Sequence, residues 1–151
     1  MIRRGGHGDV PFMRSMLAHA YGWRVNAFDV EIPLARYVEN WGRTGDVALI
    51  ATEGRNRVGA AWFRVFSAAA PGYAFVDEET PELTIAVVPS RRQHGVGAEL
   101  MAELLKRAAA EGHKAISLSV EKGSPAIAFY ERHGFERIGE TEHAVAMRRA
   151  L

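Results

Sequence analysis

The chain contains no cysteine. That excludes disulfides, thiolate metal ligands and a covalent cysteine nucleophile. It also lacks any apolar run of the roughly 20 residues that a membrane-spanning helix needs, so no membrane contact is expected. Residues 1–9 are polar and glycine-rich, without the apolar stretch of a secretory signal. Excess charge of one sign is missing as well: 19 Lys and Arg stand against 18 Asp and Glu, for a net +1. Nucleic-acid binding calls for a strong basic excess or stripe, and none is expected here. The six histidines form no H-E-x-x-H or other close ligand pair, so no metal site is expected. No G-x-S-x-G motif supports a serine hydrolase. What remains is the composition of an ordinary soluble protein, 48% hydrophobic and 25% charged. Its 151 residues fit one domain, 1–151, and the expected compartment is the cytoplasm.

Periodicity divides the chain into alternating elements. Residues 2–4 read as a short strand. Asp9 reads as an N-cap with Pro11 in the turn that follows. Phe12, Met13, Met16, Leu17 and Ala20 recur at helical spacing, and Gly22 stops that helix. A second helix is expected over 34–41. Residues 46–52 and 58–66 read as a hairpin about a turn at 54–57. The stretch 68–80, with Pro71, Gly72, Asp77, Glu78 and Glu79, reads as a loop. Residues 82–88 are apolar on both alternating faces, which marks a strand buried on both sides and central in its sheet. Leu100, Met101, Leu104, Leu105 and Ala108 form one apolar stripe over 97–111. A strand at 115–120, a helix at 125–133 and two closing strands at 135–138 and 143–147 complete the order β-α-α-β-β-β-α-β-α-β-β. The expected fold class is α/β, a mixed, mostly antiparallel sheet flanked by helices. Trp41 and Trp62 read as core.

The most informative segment joins the central strand to the long helix: Pro89, Ser90, Arg91, Arg92, Gln93, His94, Gly95, Val96, Gly97, Ala98. The first four N–H groups of a helix have no internal partner, and the helix dipole places partial positive charge there. Such an end binds phosphate where the backbone is accessible. Gly95 and Gly97 remove obstructing side chains, and Arg91, Arg92 and His94 add donors. A dinucleotide-binding loop would need a third glycine at position 100, which is Leu100.

Arg92-Gln93-His94-Gly95-Val96-Gly97 resembles the Arg/Gln-x-x-Gly-x-Gly/Ala loop of GCN5-related N-acetyltransferases at every defined position. Ala126, Phe129, Tyr130, Gly134 and Phe135, following Ser124, resemble the family's second signature, whose Asn position holds Gly123 here. The close match runs over 82–135.

The resemblance implies acetyl-coenzyme A as co-substrate and transfer to a primary amine within a ternary complex. It implies a cofactor site built from Val87, Val88, Arg92, Gln93, His94, Gly95, Val96, Gly97, Ala98, Ser124, Ala126, Phe129 and Tyr130. It gives Tyr130 the role of general acid and places a carbonyl-stabilising N–H around Val88. Family members often carry a carboxylate on or near the central strand, so Glu82 is the first candidate for the base, ahead of Glu79 and Asp77. The first half of the chain would cover the acceptor, bringing Trp23, Arg24, Phe28 and Glu82 to it. The expected partner is a small-molecule amine; dimers are common in such families. Two rival readings share the glycine loop: a non-catalytic acetyl-CoA-binding module, and a nucleotide-binding structural domain.

Overall fold

The computed structural model describes residues 1–21 and 33–151. Seven strands form one sheet: β1 (Ile2–Arg4), β2 (Val47–Glu53), β3 (Asn56–Arg64), β4 (Glu82–Val87), β5 (Ala115–Glu121), β6 (Glu136–Glu140) and β7 (Ala144–Ala150). Their spatial order is β1-β2-β3-β4-β5-β7-β6. All neighbours run antiparallel except β4 and β5. The central position expected for 82–88 is observed. The α-helices among the described residues are α1 (Val10–Ala20), α2 (Val96–Ala110) and α3 (Ala126–Arg132).

Strand alternation sorts the apolar residues onto two faces. Leu49, Ala61, Phe63, Leu83, Ile116, Leu118 and Met147 pack with Leu100, Met101 and Leu104 of α2. Ile50, Ala60 and Trp62 pack on the opposite face with Met13, Met16 and Leu17 of α1, and with Tyr21, Tyr37 and Trp41. The two tryptophans read as core are buried there.

Two local expectations are corrected. Residues 34–41 make only a 3-10 turn, Leu34–Tyr37. Asn40 at φ 53° and Gly42 at φ 108° turn the chain away from helical geometry. The carbonyls of Arg36 and Glu39 accept from Arg64 Nη1 instead, at 2.9 and 2.8 Å. Asp9 precedes α1 but makes no capping bond to it. Its carboxylate accepts from Arg3 at 2.7 and 2.9 Å, from Arg57 at 2.8 Å and from the Gly6 N–H at 2.9 Å. Those bonds, Arg3's above all, hold the Asp9 carboxyl well below the usual range. In β6 the ladder slips between Arg137 and Gly139, leaving Ile138 half exposed.

Candidate active site

The site begins with a fault in the sheet. β4 and β5 pair at one position, Glu82 opposite Ser117, where the Ser117 N–H donates to the Pro81 carbonyl at 3.0 Å. Beyond it the strands part. The resulting cleft, about 440 Å³, is lined by β4 from Leu83 to Val87, by Leu118, Ser119 and Val120 of β5, and by Ser124, Pro125, Ala126 and Tyr130 at α3. His19, Ala20 and Tyr21, at the end of α1, close it, and Arg92 sits at its edge. A wider groove between β1 and α2, lined by Arg3, Arg4, Glu99, Glu103 and Lys106, has no buried unpartnered polar atom.

Antiparallel pairing fixes which β4 donors reach the cleft. The Val88 N–H donates to the Val58 carbonyl at 2.9 Å, and Gly59 to Arg64 pair with Val87 to Glu82 in unbroken register. Every second N–H of β4 is thereby committed to β3. Those of Ile85 and Val87 face the other way, into the gap. The free donors thus lie one and three positions before Val88, at the end of the strand. Val88 itself is half-buried and packs against the cores on both faces.

The loop after β4 makes a 3-10 turn, Pro89–Arg91, and then enters α2. Gln93 and Gly95 take the left-handed conformation, with φ 65° and 85°. Gly95 tolerates this without strain; Gln93 does so at a cost. The first helical bond runs from Glu99 N–H to the Gly95 carbonyl at 3.1 Å. The N–H groups of Gln93, His94, Gly95, Val96, Gly97 and Ala98 therefore have no acceptor among the described residues. A Cβ on Gly95 would stand in open space, and one on Gly97 would meet Phe129 and Val87 only at an ordinary 3.8 Å. Packing within the protein does not demand glycine at 97. Arg92 folds back, its Nε donating to the Val87 carbonyl at 3.2 Å and its Nη2 lying 3.4 Å from His19 Nδ1. Arg91 is held by Glu53.

On the other wall, Gly123 has φ 83° and no neighbour at its Cβ position. The left-handed turn explains the residue type, because Gly and Asn are those that visit this conformation most readily. Ser124 Oγ accepts from the Ala126 N–H at 3.1 Å and starts α3. Phe129 packs beneath Gly97 rather than lining the cleft, its ring 5.5 Å from that of Tyr130. Tyr130 does line the cleft, and its hydroxyl donates to no group among the described residues. Burial pushes it up to about 12.

Beneath the cleft, where β4 and β5 still touch, lies Glu82, 2% exposed. Burial raises its carboxyl to about 7. The Tyr37 hydroxyl and the Ala74 N–H, the latter at 3.1 Å, both donate to Oε1 and oppose the rise. Tyr37 accepts in turn from the Tyr73 N–H at 2.9 Å. Oε2 is buried without a partner. It abuts Gly72, where a Cβ would fall 2.1 Å away.

The structure thus gathers Val87, Arg92, Ser124, Ala126 and Tyr130 around one cleft, sets Glu82 beneath it and places 93–98 at the end of β4. Trp23, Arg24 and Phe28 lie outside the described residues. Asp77 bonds to the Glu79 N–H and to Thr80 at 2.9 Å each, in an exposed turn away from the cleft. The sequence reading missed Tyr37, Tyr73 and His19. Tyr37 was masked by its place in an expected helix, and nothing local marks Tyr73 or His19.

No group of His, Asp or Glu that could hold a metal occurs among the described residues, nor does a helix long and apolar enough to cross a membrane. A search of curated proteins finds no match. Among solved structures the chain is similar to a ribosomal-protein-alanine N-acetyltransferase from Brucella melitensis, at 24% identity over 100% of this chain and 99% of that one, with TM-score 0.75. It is also similar to an aminoglycoside 6'-N-acetyltransferase complexed with coenzyme A (19% identity, 99% and 96% covered, TM-score 0.68). A phosphinothricin acetyltransferase from Sinorhizobium meliloti in complex with AcCoA is a further neighbour (18% identity, 100% and 88% covered, TM-score 0.70). These likenesses agree on the fold. Residues 11–135 match the model of the acetyltransferase (GNAT) family, and with a parted β4–β5 pair leading into a donor-rich helix start, the chain belongs to that family.

Proposed function

We propose that residues 1–151 form one acetyltransferase domain that moves the acetyl group of acetyl-CoA directly to a primary amine, with a small molecule as acceptor. The observation that carries this reading is the run of unpaired donors along one path. The N–H groups of Ile85 and Val87 face the gap, and those of 93–98 continue beyond it. An extended amide-bearing arm that ends in a pyrophosphate matches that order of donors. The cleft volume of about 440 Å³ lies in the range of small-molecule sites.

Acetyl-CoA, when bound, supplies an activated thioester; the chain's own groups do the rest. The N–H groups of 93–98 and the side chains of Arg92 and His94 would hold the pyrophosphate. Val87, Ser124 and Ala126 would flank the arm, and an Ile85 or Val87 N–H would stabilise negative charge on the carbonyl oxygen. As the C–N bond forms, Glu82 takes the proton that nitrogen loses. As the C–S bond breaks, Tyr130 gives its phenolic proton to sulfur. Both then re-equilibrate with solvent. Trp23, Arg24 and Phe28 are proposed to cover the acceptor.

The test is a thermal-shift titration with acetyl-CoA, coenzyme A and ADP, followed by thiol release with a panel of amines. A ligand at 100 times its Kd adds about 2.7 kcal/mol of stability. A clear shift with acetyl-CoA, larger than with ADP, supports the reading. No shift at millimolar acetyl-CoA refutes it.

A further inference from the structure

Glu82 and Ser117 are the last pair before the strands part, and two residues on along each strand come Thr84 and Ser119. Alternation returns those two to the face of Glu82 and Ser117. That face is marked by Ala74, whose N–H donates to Glu82 Oε1 at 3.1 Å and whose carbonyl accepts from Ser117 Oγ at 2.8 Å. Trp62, the register partner of Thr84, packs with α1 on the same side. Thr84 and Ser119 therefore stand on opposite banks of the cleft, and both line it. They are 2% and 8% exposed. Thr84 Oγ1 is buried without a partner, and the Ser119 hydroxyl makes no hydrogen bond among the described residues. Two buried hydroxyls facing a cleft with nothing to bond are costly unless a ligand completes them.

We propose that Thr84 and Ser119 seat the attacking nitrogen between them and select a primary amine. This rests on the acetyltransferase reading above. A neutral primary amine carries two N–H donors and one lone pair. One N–H donates to Thr84 Oγ1 and the other to Ser119 Oγ, which leaves the lone pair free to attack the thioester carbon. A secondary amine has a single N–H, and its second carbon substituent meets the oxygen that the other N–H would have bonded. Thr84 and Ser119 only bind: neither hydroxyl gains or loses a proton, and the bonds that form and break are those of the transfer described above.

The polar groups around the seat are engaged elsewhere or offer the wrong chemistry. Ser117 is spent on Ala74, and Glu82 Oε1 on Tyr37 and Ala74. Arg92 folds back onto the Val87 carbonyl. The N–H groups of Ile85 and Val87 lie in the plane of the sheet and are donors, suited to a carbonyl oxygen rather than to an N–H. Tyr130 packs with the core on the α2 side. The acid that serves sulfur and the seat that serves nitrogen thus lie toward opposite faces of the parted strands. Tyr21, at the end of α1, closes the cleft on the side of the seat.

The experiment compares the parent with Thr84→Val, Thr84→Ser and Ser119→Ala. It follows thiol release with an alanine-starting peptide, benzylamine and hydroxylamine, each also as its N-methyl form, and acetyl-CoA binding by calorimetry. The parent should prefer each primary acceptor it uses to the N-methyl form by about 10-fold or more in kcat/KM. Thr84→Val and Ser119→Ala should each raise the acceptor KM about 10-fold and narrow that preference. Acetyl-CoA Kd should stay within about twofold, and Thr84→Ser should restore the parental KM. Thr84→Val removes an unsatisfied hydroxyl, so its melting temperature should not fall. A parental acceptor KM in either variant, or an acetyl-CoA Kd that rises in step with KM, overturns the seat and leaves acetyl transfer standing. A parent that releases thiol with none of the three primary acceptors overturns the acetyl-transfer reading and the seat with it.

Discussion

The Arg64 guanidinium forks onto the Asp46 carboxylate, Nη2 to Oδ2 at 2.6 Å and Nε to Oδ1 at 3.0 Å, with both side chains buried. Asp46 also accepts from the N–H groups of Gly42 and Arg43, at 3.1 and 2.9 Å. The remaining reach of Arg64 goes to the carbonyls that flank Tyr37, and its guanidinium lies 5.1 Å from the Trp41 ring centre. One ion pair thus fixes the turn that delivers the Tyr37 hydroxyl to Glu82. Removing one partner of a buried pair strands the other charge. Asp46→Ala should lose about 3–5 kcal/mol of stability in urea unfolding at neutral pH, and a loss below about 1 kcal/mol would show the pair to be incidental.

Gly97 offers a cleaner separation of stability from binding. An added methyl meets only ordinary contacts inside the protein, and alanine suits a helix better than glycine by about 1 kcal/mol. Gly97→Ala should therefore keep or slightly raise the melting temperature. A larger, charged side chain should act on binding instead: Gly97→Glu should raise acetyl-CoA Kd about tenfold or more, a loss of about 1.4 kcal/mol, because it occupies the approach to the free N–H groups and repels phosphate. Unchanged affinity in calorimetry would remove 93–98 from the binding site.

Tyr130 carries the proposed acid step, and its pKa near 12 has a sign with a consequence. A raised value keeps the phenol protonated through neutral and mildly alkaline pH, so no alkaline limb from Tyr130 should appear below about pH 10. Tyr130→Phe should lower kcat about 100-fold and leave acetyl-CoA binding intact. Parental turnover in the Phe variant would assign Tyr130 to packing against Phe129 and Phe135.

Glu82 links catalysis to stability. Its folded value of about 7 lies above the ordinary 4.5, so the native state holds an extra proton between those limits. Its contribution to stability is fully present below about pH 4.5 and is lost as pH rises through 7, by on the order of 3 kcal/mol. The same deprotonation makes the base, so the transfer rate should rise through pH 7 and level off. Glu82→Gln should flatten both profiles. A rate profile unchanged in that variant would show that Glu82 is not the base.

The order of elements, the central place of 82–88 and the glycine loop were legible in the sequence because each rests on local physics. Strand and helix periodicities, the freedom of Gly95 and the unpaired N–H groups of a helix start are properties of neighbours along the chain. The second signature around Tyr130 was legible in another way, by its resemblance to the family's pattern. The turn at 34–37 was not legible, since a buried arginine 25 to 28 residues further on takes the carbonyls that a helix would use.

The surroundings of Glu82 depended most on tertiary structure. Its sequence neighbours say only that it begins a strand. Its raised pKa comes from burial, with the 3-10 turn that carries Tyr37 and the loop from Gly72 to Ala74 closing over one carboxyl. The parting of β4 from β5 is likewise invisible in either strand's residues, because it is a relation between two strands rather than a property of one. The sequence by itself determined the strand–loop–helix frame and the donors it leaves unpaired. Only the tertiary structure decided which of those donors, and which buried hydroxyls, meet in one cleft, because burial and strand separation are set by segments distant along the chain.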